Sequence, residues 1–158
     1  MMEEEKMNVT TKENGLLKDL RGQEQLCIEK YEKYAAEACA SELQTLFHEL
    51  ADVERGHLRV VNEMMNGKVE AVGGQGSSSG SCACDHKATY SDESCRKKDA
   101  FLCSDMLSTE KHVSALYDTS IFEFSDAQAR NVLNNIQAQE QQHGLRIYDF
   151  MSANGMYQ

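Results

Sequence analysis

A pattern of four residues that occurs twice constrains the fold of this chain more than any other feature. Two glutamates, a tyrosine and a histidine recur at a fixed offset of 86 residues. The first copy consists of Glu24, Tyr31, Glu54 and His57, and the second of Glu110, Tyr117, Glu140 and His143. Counted against the chain's own frequencies of these residue types, such a match would arise by chance on the order of once in a thousand sequences.

Both copies lie within helical patterns. Apolar residues around them recur with a helical period, and the repeated glutamates fall on the same stripes. Proline is absent and glycine is concentrated in one stretch, which favours long helices. The sequence predicts an all-α chain in which residues 1–14 form a mobile acidic tail and 15–158 form one domain. The predicted helices cover about 16–39, 42–66, 99–124 and 126–152.

The spacing within each copy fits an antiparallel pair of helices. In such a hairpin, residues equidistant from the turn lie at the same height. Glu24 and His57 are equidistant from the break at 40–41, and the second copy repeats this arrangement. Residues three apart share a helix face, so each Glu-x-x-His motif presents a carboxylate and an imidazole to one point.

The two predicted hairpins are joined by the linker 67–98. Its first half, including Gly73–Ser81, has the composition of a flexible segment. A helix of ~25 residues is ~37 Å long, so about a dozen extended residues return to its other end. Ferritin-like bundles use such a crossover, whereas an up-down-up-down bundle needs only a short loop there. We therefore expect a ferritin-like four-helix bundle of two hairpins joined by a long crossover linker.

The repeated acidic residues need a compensating positive charge. Buried carboxylates without a partner cost several kcal/mol each, and no Lys or Arg lies at the right level of these stripes. Two metal ions would satisfy the charge. Oxygen-rich sites with one imidazole per metal suit iron, which is the first choice, with manganese and zinc as alternatives.

Each ligand has an expected role. The expected bridging carboxylates are Glu54 and Glu140, the terminal ligands Glu24 and Glu110, and the nitrogen ligands His57 and His143. The alternative is a decayed site that hydrogen bonds hold together. The candidate catalytic residues are Tyr31 and Tyr117, which would donate to ligands or carry an electron, the alternative being an ordinary core position.

Charge and hydropathy exclude several functions. The net charge of −10 and the isoelectric point near 4.9 argue against nucleic acid and anionic lipid as partners. No apolar stretch approaches the ~20 residues that span a bilayer, and the first residues are charged. The chain is therefore expected to stay in the cytoplasm where it is made.

The six cysteines are expected to be thiols, because a chain that is not exported meets reducing conditions. Cys27 and Cys103 fall on apolar faces and are expected to fill the core. A zinc site is an alternative for the linker, but its spacing lacks the usual Cys-x-x-Cys pairs. The residues of that alternative are Cys82, Cys84, His86 and Cys95.

The first half of the chain resembles a known class of metal proteins. The run Ala51–His57, together with Glu24 and Tyr31 seven residues later, resembles the rubrerythrin branch of ferritin-like di-iron proteins. Rubrerythrins carry a further Glu where this chain has Val113, and they append a Cys-rich module that is missing here. The resemblance implies a di-iron site of the ferritin-like kind.

The second half resembles the Coat F domain of spore coat proteins. The resemblance rests on Asp105–His112, on Glu140–His143 and on the closing segment Tyr148–Tyr157. It implies assembly into the spore coat, with other coat proteins or further copies of the chain as partners. Three functions follow as expectations: a di-iron oxidoreductase of ferroxidase or peroxidase type acting on Fe(II), dioxygen or peroxide, a structural coat component, and a manganese catalase-like protein.

Overall fold

Four helices make up the architecture. The computed structural model describes residues 6–70 and 87–157, and within these ranges it contains helices and no strand. The helices are α1 (Thr11–Glu37), α2 (Ser41–Met65), α3 (Glu93–Glu123) and α4 (Ala127–Ala153). The predicted all-α class is confirmed. No helix in the described part of the chain is long and apolar enough to cross a membrane.

The first helix begins at Thr11, earlier than the apolar stripe indicated. Thr10 and Glu13 form a capping box: the Thr10 hydroxyl accepts from the backbone N–H of Glu13 at 3.1 Å, and the Glu13 carboxylate accepts from the backbone N–H of Thr10 at 3.0 Å. These bonds satisfy amide groups at the start of the helix. Residues 11–14, which the prediction assigned to the tail, thus belong to α1.

The third helix also begins earlier, at Glu93 instead of near residue 99. The side chain of Asp92 caps it by accepting from the backbone N–H of Ser94 at 2.8 Å. The first turns of α3 are mostly exposed, so they carry no apolar stripe that periodicity could detect.

Helices α1 and α3 pack side by side and run in opposite directions. Near the start of α1, Lys12 forms an ion pair with Glu123 at 2.6 Å. Near the end of α1, the Tyr34 hydroxyl donates to Asp105 at 2.6 Å. Residues late in α3 therefore lie beside residues early in α1, which defines an antiparallel pair.

Helices α2 and α4 are antiparallel in the same way. Arg146 of α4 contacts Glu49 near the start of α2, while Gln139 lies beside His57 further along α2. Because α1 is antiparallel to both α2 and α3, the last two run in the same direction. The connection from α2 to α3 must therefore return along the bundle, which confirms the predicted crossover.

The start of α3 is fixed to the turn between α1 and α2. The buried carboxylate of Asp99 accepts from the backbone N–H groups of Cys39 at 2.8 Å and Ala40 at 3.0 Å, and from the Tyr90 hydroxyl at 2.7 Å. A disulfide joins Cys39 and Cys95 in the same place, with a Cα–Cα distance of 5.8 Å. The expectation that all cysteines are thiols is wrong for this pair, because the crossover brings two distant positions together.

The remaining cysteines divide into two groups. Cys27 and Cys103 are free and buried, as predicted. Cys82, Cys84 and His86 lie outside the described residues. The proposed zinc alternative also used Cys95, whose sulfur is bonded to another cysteine in this structure.

The apolar core is divided into two clusters. One surrounds Phe47 and Phe150, and the other surrounds Leu20 and Leu133. The repeated glutamates and histidines occupy the levels of the helices between these clusters and are also buried. The fold therefore places a polar layer between two apolar ones.

The turn after α2 generates a first prediction. Gly67 has φ +78°, and a Cβ there would lie 2.8 Å from the Met7 carbonyl oxygen, so Gly67→Ala should destabilise the protein by about 1–2 kcal/mol. Gly22→Ala is the matched control: Gly22 lies within α1 with open space around it, and alanine there should stabilise by about 0.5–1 kcal/mol. Urea denaturation of both variants measures the two free energies, and a stabilised Gly67→Ala protein would contradict this explanation.

Candidate metal centre

The six predicted metal ligands lie together in the polar layer. Helices α1 and α3 contribute one glutamate each, and α2 and α4 contribute a Glu-x-x-His motif each. Every one of the six is at least 96% buried. They are Glu24, Glu54, His57, Glu110, Glu140 and His143. Since the ligands come from all four helices, the layer exists only when both hairpins are docked.

The two copies contact each other through their histidines. Nδ1 of His57 lies 2.8 Å from Oε1 of Glu140, and Nδ1 of His143 lies 2.7 Å from Oε1 of Glu54. Each imidazole thus faces the carboxylate of the opposite motif more closely than that of its own, at 3.4 and 3.6 Å. The rings are stacked, with centroids 5.9 Å apart. The repeated sequence therefore builds a site with approximate two-fold symmetry.

Two groups of potential ligand atoms overlap at the centre. Within each group the ligand atoms lie within 4.8 Å of one another. The first group is Glu24, Glu54, His57 and Glu140, and the second is Glu54, Glu110, Glu140 and His143. Glu54 and Glu140 belong to both groups, which is the position that a bridging carboxylate needs. Metal binding itself stays a prediction.

The tyrosines contact the glutamates of the opposite copy. The Tyr117 hydroxyl donates to Oε1 of Glu24 at 2.5 Å, and the Tyr31 hydroxyl donates to Oε1 of Glu110. Burial and the neighbouring glutamates raise the pKa of both phenols well above the ordinary value, so both remain donors. The predicted donor role agrees with this geometry. The predicted electron-carrying role stays a prediction.

A further contact involves Gln139, which the repeat did not reveal because its counterpart in the first copy is Val53. Its side-chain oxygen lies 2.5 Å from Nε2 of His57. An amide oxygen only accepts, so this ring nitrogen must donate. The bond fixes the orientation of the ring and directs Nδ1 towards the carboxylates.

Protonation of the layer follows from burial and from these contacts. Burial, with the nearby Glu54 and Glu140 respectively, raises the pKa of Glu24 and Glu110 well above the ordinary value. Burial alone would also raise the pKa of Glu54 and Glu140, but hydrogen bonds from their neighbours, the two histidines included, lower it. These contacts therefore favour the protonated form of Glu24 and Glu110 and the charged form of Glu54 and Glu140.

The histidines supply the matching positive charge. Burial alone would lower the pKa of His57, but hydrogen bonds to Glu140 and Glu54 raise it to about 10. The pKa of His143 is raised in the same way. With protons on Glu24 and Glu110, two imidazolium and two carboxylate groups would cancel, so protons alone can neutralise the layer. Protons on these side chains can thus balance the buried negative charge, which the prediction of a metal pair from the sequence did not consider.

The donor set also fits metal ions. Glu24, Glu110 and Glu140 each have one buried carboxylate oxygen without a hydrogen-bond partner among the described residues. Buried polar atoms without partners are rare in folded proteins. A cation is the kind of partner that would satisfy several converging carboxylate oxygens together.

The other histidines and cysteines within residues 6–70 and 87–157 do not join the layer. His48 and His112 are exposed on α2 and α3, as predicted. Cys27 is buried near the layer, and burial followed by the surrounding glutamates raises the pKa of its thiol far above the ordinary value. It is therefore a neutral thiol and not a thiolate ligand.

The protonation pattern generates a second prediction. In metal-free protein, Glu24→Gln should change the free energy of unfolding by less than about 1 kcal/mol, because it replaces one neutral group by another. Glu54→Gln should cost about 3 kcal/mol, because it leaves the buried His143 imidazolium without its carboxylate. Denaturation at pH 7 in the presence of a chelator measures the free energy of unfolding of both variants. Equal losses of stability would contradict the assignment of a proton to Glu24 and a charge to Glu54.

The comparisons with known proteins concern the second hairpin. No curated protein and no solved structure matches the chain. Residues 98–158 match the family model of the Coat F domain. The matched region contains Glu110, Glu140 and His143, so half of the polar layer lies inside it. The match supports a relationship between this part of the chain and the spore coat F family.

Proposed function

We propose that this chain is a ferritin-like spore coat protein that binds two metal ions in its polar layer, with iron as the preferred metal. The observation that carries the proposal is the pair of overlapping ligand groups that share Glu54 and Glu140. The Coat F match supports the assignment to the coat, where other coat proteins or further copies of the chain would be its partners.

Each residue has a definite part in this proposal. Glu54 and Glu140 would bridge the two ions, with Glu24 and His57 completing one site and Glu110 and His143 the other. Four carboxylates balance the charge of two divalent ions, and the imidazoles would bind as neutral ligands. A set of oxygens with one nitrogen per ion suits iron or manganese, and affinity would also permit zinc.

The proposed activity is the oxidation of Fe(II) by peroxide or dioxygen. When bound, two Fe(II) ions would supply the two electrons that, with two protons, reduce one hydrogen peroxide to two water molecules. The residues of the chain would position the ligands. Tyr117 and Tyr31 hold Glu24 and Glu110 by hydrogen bonds, and Gln139 orients His57. The apolar clusters on both sides limit the access of water.

A structural role is the second candidate. The polar layer is neutral in its protonated form, so the fold does not require turnover to justify the buried charges. In this function the metals only fasten the four helices together, and they stabilise the folded state by binding to it. Metal removal would then lower the melting temperature while peroxide is not consumed, which distinguishes it from the first candidate.

Metal content gives the third prediction. After anaerobic reconstitution with Fe(II), the wild-type protein should hold about two irons per chain, and Glu54→Ala and Glu140→Ala should each lose the pair because both ions share these carboxylates. His48→Ala is the matched control, since that histidine is exposed on the same helix as Glu54. Elemental analysis for iron, manganese and zinc measures the content, with circular dichroism to verify the helices. Two metals retained in both glutamate variants would refute the assignment.

Reaction with peroxide then separates the two candidates. When hydrogen peroxide is mixed with the Fe(II)-loaded protein, the bound iron should be oxidised, and about one peroxide molecule should be consumed for every two iron atoms. Full iron content without any oxidation of that iron by peroxide would support the structural function.

The fourth prediction concerns pH. Binding two divalent ions must displace about four protons at neutral pH, from the two glutamates with raised pKa and from the two imidazolium groups. Affinity should therefore rise steeply with pH up to about pH 10, the pKa of His57. Calorimetric titration of metal into protein, in buffers of different ionisation enthalpy, counts the released protons. Release of fewer than two protons per chain would contradict the protonation pattern.

A further inference from the structure

A groove runs along one side of the polar layer. It has a volume of about 530 Å³ and lies between α3 and α4, and both Glu110 and Glu140 contribute to its lining. We call it the α3–α4 groove. The other residues used below that line it are Leu107, Lys111, Ser114, Asp118, Gln137, Gln141 and Gly144. Two of the six candidate ligands, which are 1–2% exposed, therefore lie at the inner wall of this groove.

Two positions on the matching face of the first hairpin carry larger residues. With the offset of 86 residues that relates the two copies, Gly144 corresponds to Leu58 and Ser114 corresponds to Ile28. Ile28 is only 6% exposed, whereas Ser114 is half-buried in the groove. The two copies thus share their ligands but differ in the side chains that cover them.

An ion pair spans the first hairpin where the groove opens in the second. Arg55 of α2 binds Glu32 of α1. Their counterparts are Gln141 and Asp118, which line the groove and cannot form an ion pair with each other because glutamine is neutral. The two hairpins therefore differ at these positions, because an ion pair covers the first hairpin and the matching residues of the second form none.

A second groove, of about 380 Å³ between α2 and α4, reaches the layer differently. Among the candidate ligands it is lined only by His57. Gln139 also lines it and bonds to Nε2, the ring nitrogen that faces away from the carboxylates. Among the candidate ligands, this second groove is thus lined by one histidine, whereas the α3–α4 groove is lined by two glutamates.

We propose that the α3–α4 groove is the opening through which hydrogen peroxide reaches the metal pair, an inference that rests on the proposed function. The lining carries one basic residue, Lys111, and three acidic ones, Glu110, Asp118 and Glu140, and the net charge of the chain is −10, so a small uncharged molecule meets less repulsion on this path than an anion. The Gln137 amide nitrogen donates across the groove to the Ser114 carbonyl oxygen at 3.1 Å and to its hydroxyl at 3.5 Å, so a polar molecule on this path would exchange hydrogen bonds with this pair. Gly144 keeps the path open.

The test introduces residues of the first hairpin at the matching positions of the α3–α4 groove. Gly144→Leu and Ser114→Ile each introduce the residue that the first hairpin has at the matching position. Both should keep about two irons per chain and slow two rates at least tenfold: oxidation of the Fe(II)-loaded protein by hydrogen peroxide, and binding of nitric oxide to the same protein. Nitric oxide is a small uncharged probe whose binding reports access without turnover. If Gly144→Leu does not fold, Ser114→Ile decides alone.

Two control variants test whether a change in rate reports access. Gly144→Ala should leave both rates within about twofold of wild type, because its Cβ would only touch the Leu107 side chain, at 3.6 Å. Arg55→Gln, which removes the ion pair on the other face, should leave them unchanged as well.

The outcomes distinguish failure of the groove as the opening from failure of the proposed metal site. Unchanged rates in Gly144→Leu or Ser114→Ile at full iron content would overturn the groove as the opening and leave the metal site intact. Equal slowing in Arg55→Gln would also overturn it. Absence of iron from the wild-type protein would overturn the proposed function itself.

Discussion

The neutralisation of four buried carboxylates is the constraint on which the rest of the structure depends. Carboxylates in an apolar interior are tolerated only when opposite charge or protons accompany them. Here each imidazole neutralises the carboxylate of the opposite copy, and each tyrosine donates to the glutamate of the opposite copy. These contacts join α2 to α4 and α1 to α3, so the register between the hairpins is set by the same groups that form the site. A slip of one helical turn would separate every one of these pairs.

Most of the site was predictable from sequence because the information is local and repeated. Glutamate and histidine three residues apart share a helix face, and a hairpin places the upstream glutamate level with them. What the sequence did not reveal depends on contacts between the hairpins or on residues without a counterpart. The donation from Tyr117 to Glu24 requires the antiparallel packing of α1 and α3, and the role of Gln139 has no equivalent in the first copy. The pairing of Cys39 with Cys95 depends on where the crossover ends, and the early starts of α1 and α3 depend on capping groups that periodicity does not detect.

If the proposed metal pair binds, the same six residues have two neutral states. In one, protons on two glutamates and on both imidazoles balance the remaining carboxylates. In the other, two divalent ions would take the place of four protons. Because the total charge would be equal in both states, neither would create an uncompensated charge inside the bundle, and pH would control the balance between them.

The internal symmetry of this chain includes the candidate ligands but not the residues that cover them. The candidate ligands and their tyrosine donors are repeated faithfully, and two metal ions bound as proposed would make the same demands on charge and geometry at both positions. The covering residues are under no such demand. A single opening is sufficient for a small reactant, whereas a second one would admit water to the layer and weaken the electrostatic contacts that hold it. A closed first hairpin, with Ile28 and the Arg55–Glu32 ion pair, and an open second one, with Gly144 and Ser114, meet both needs. Divergence of the two halves at the surface is therefore what a symmetric site with one entrance would be expected to show.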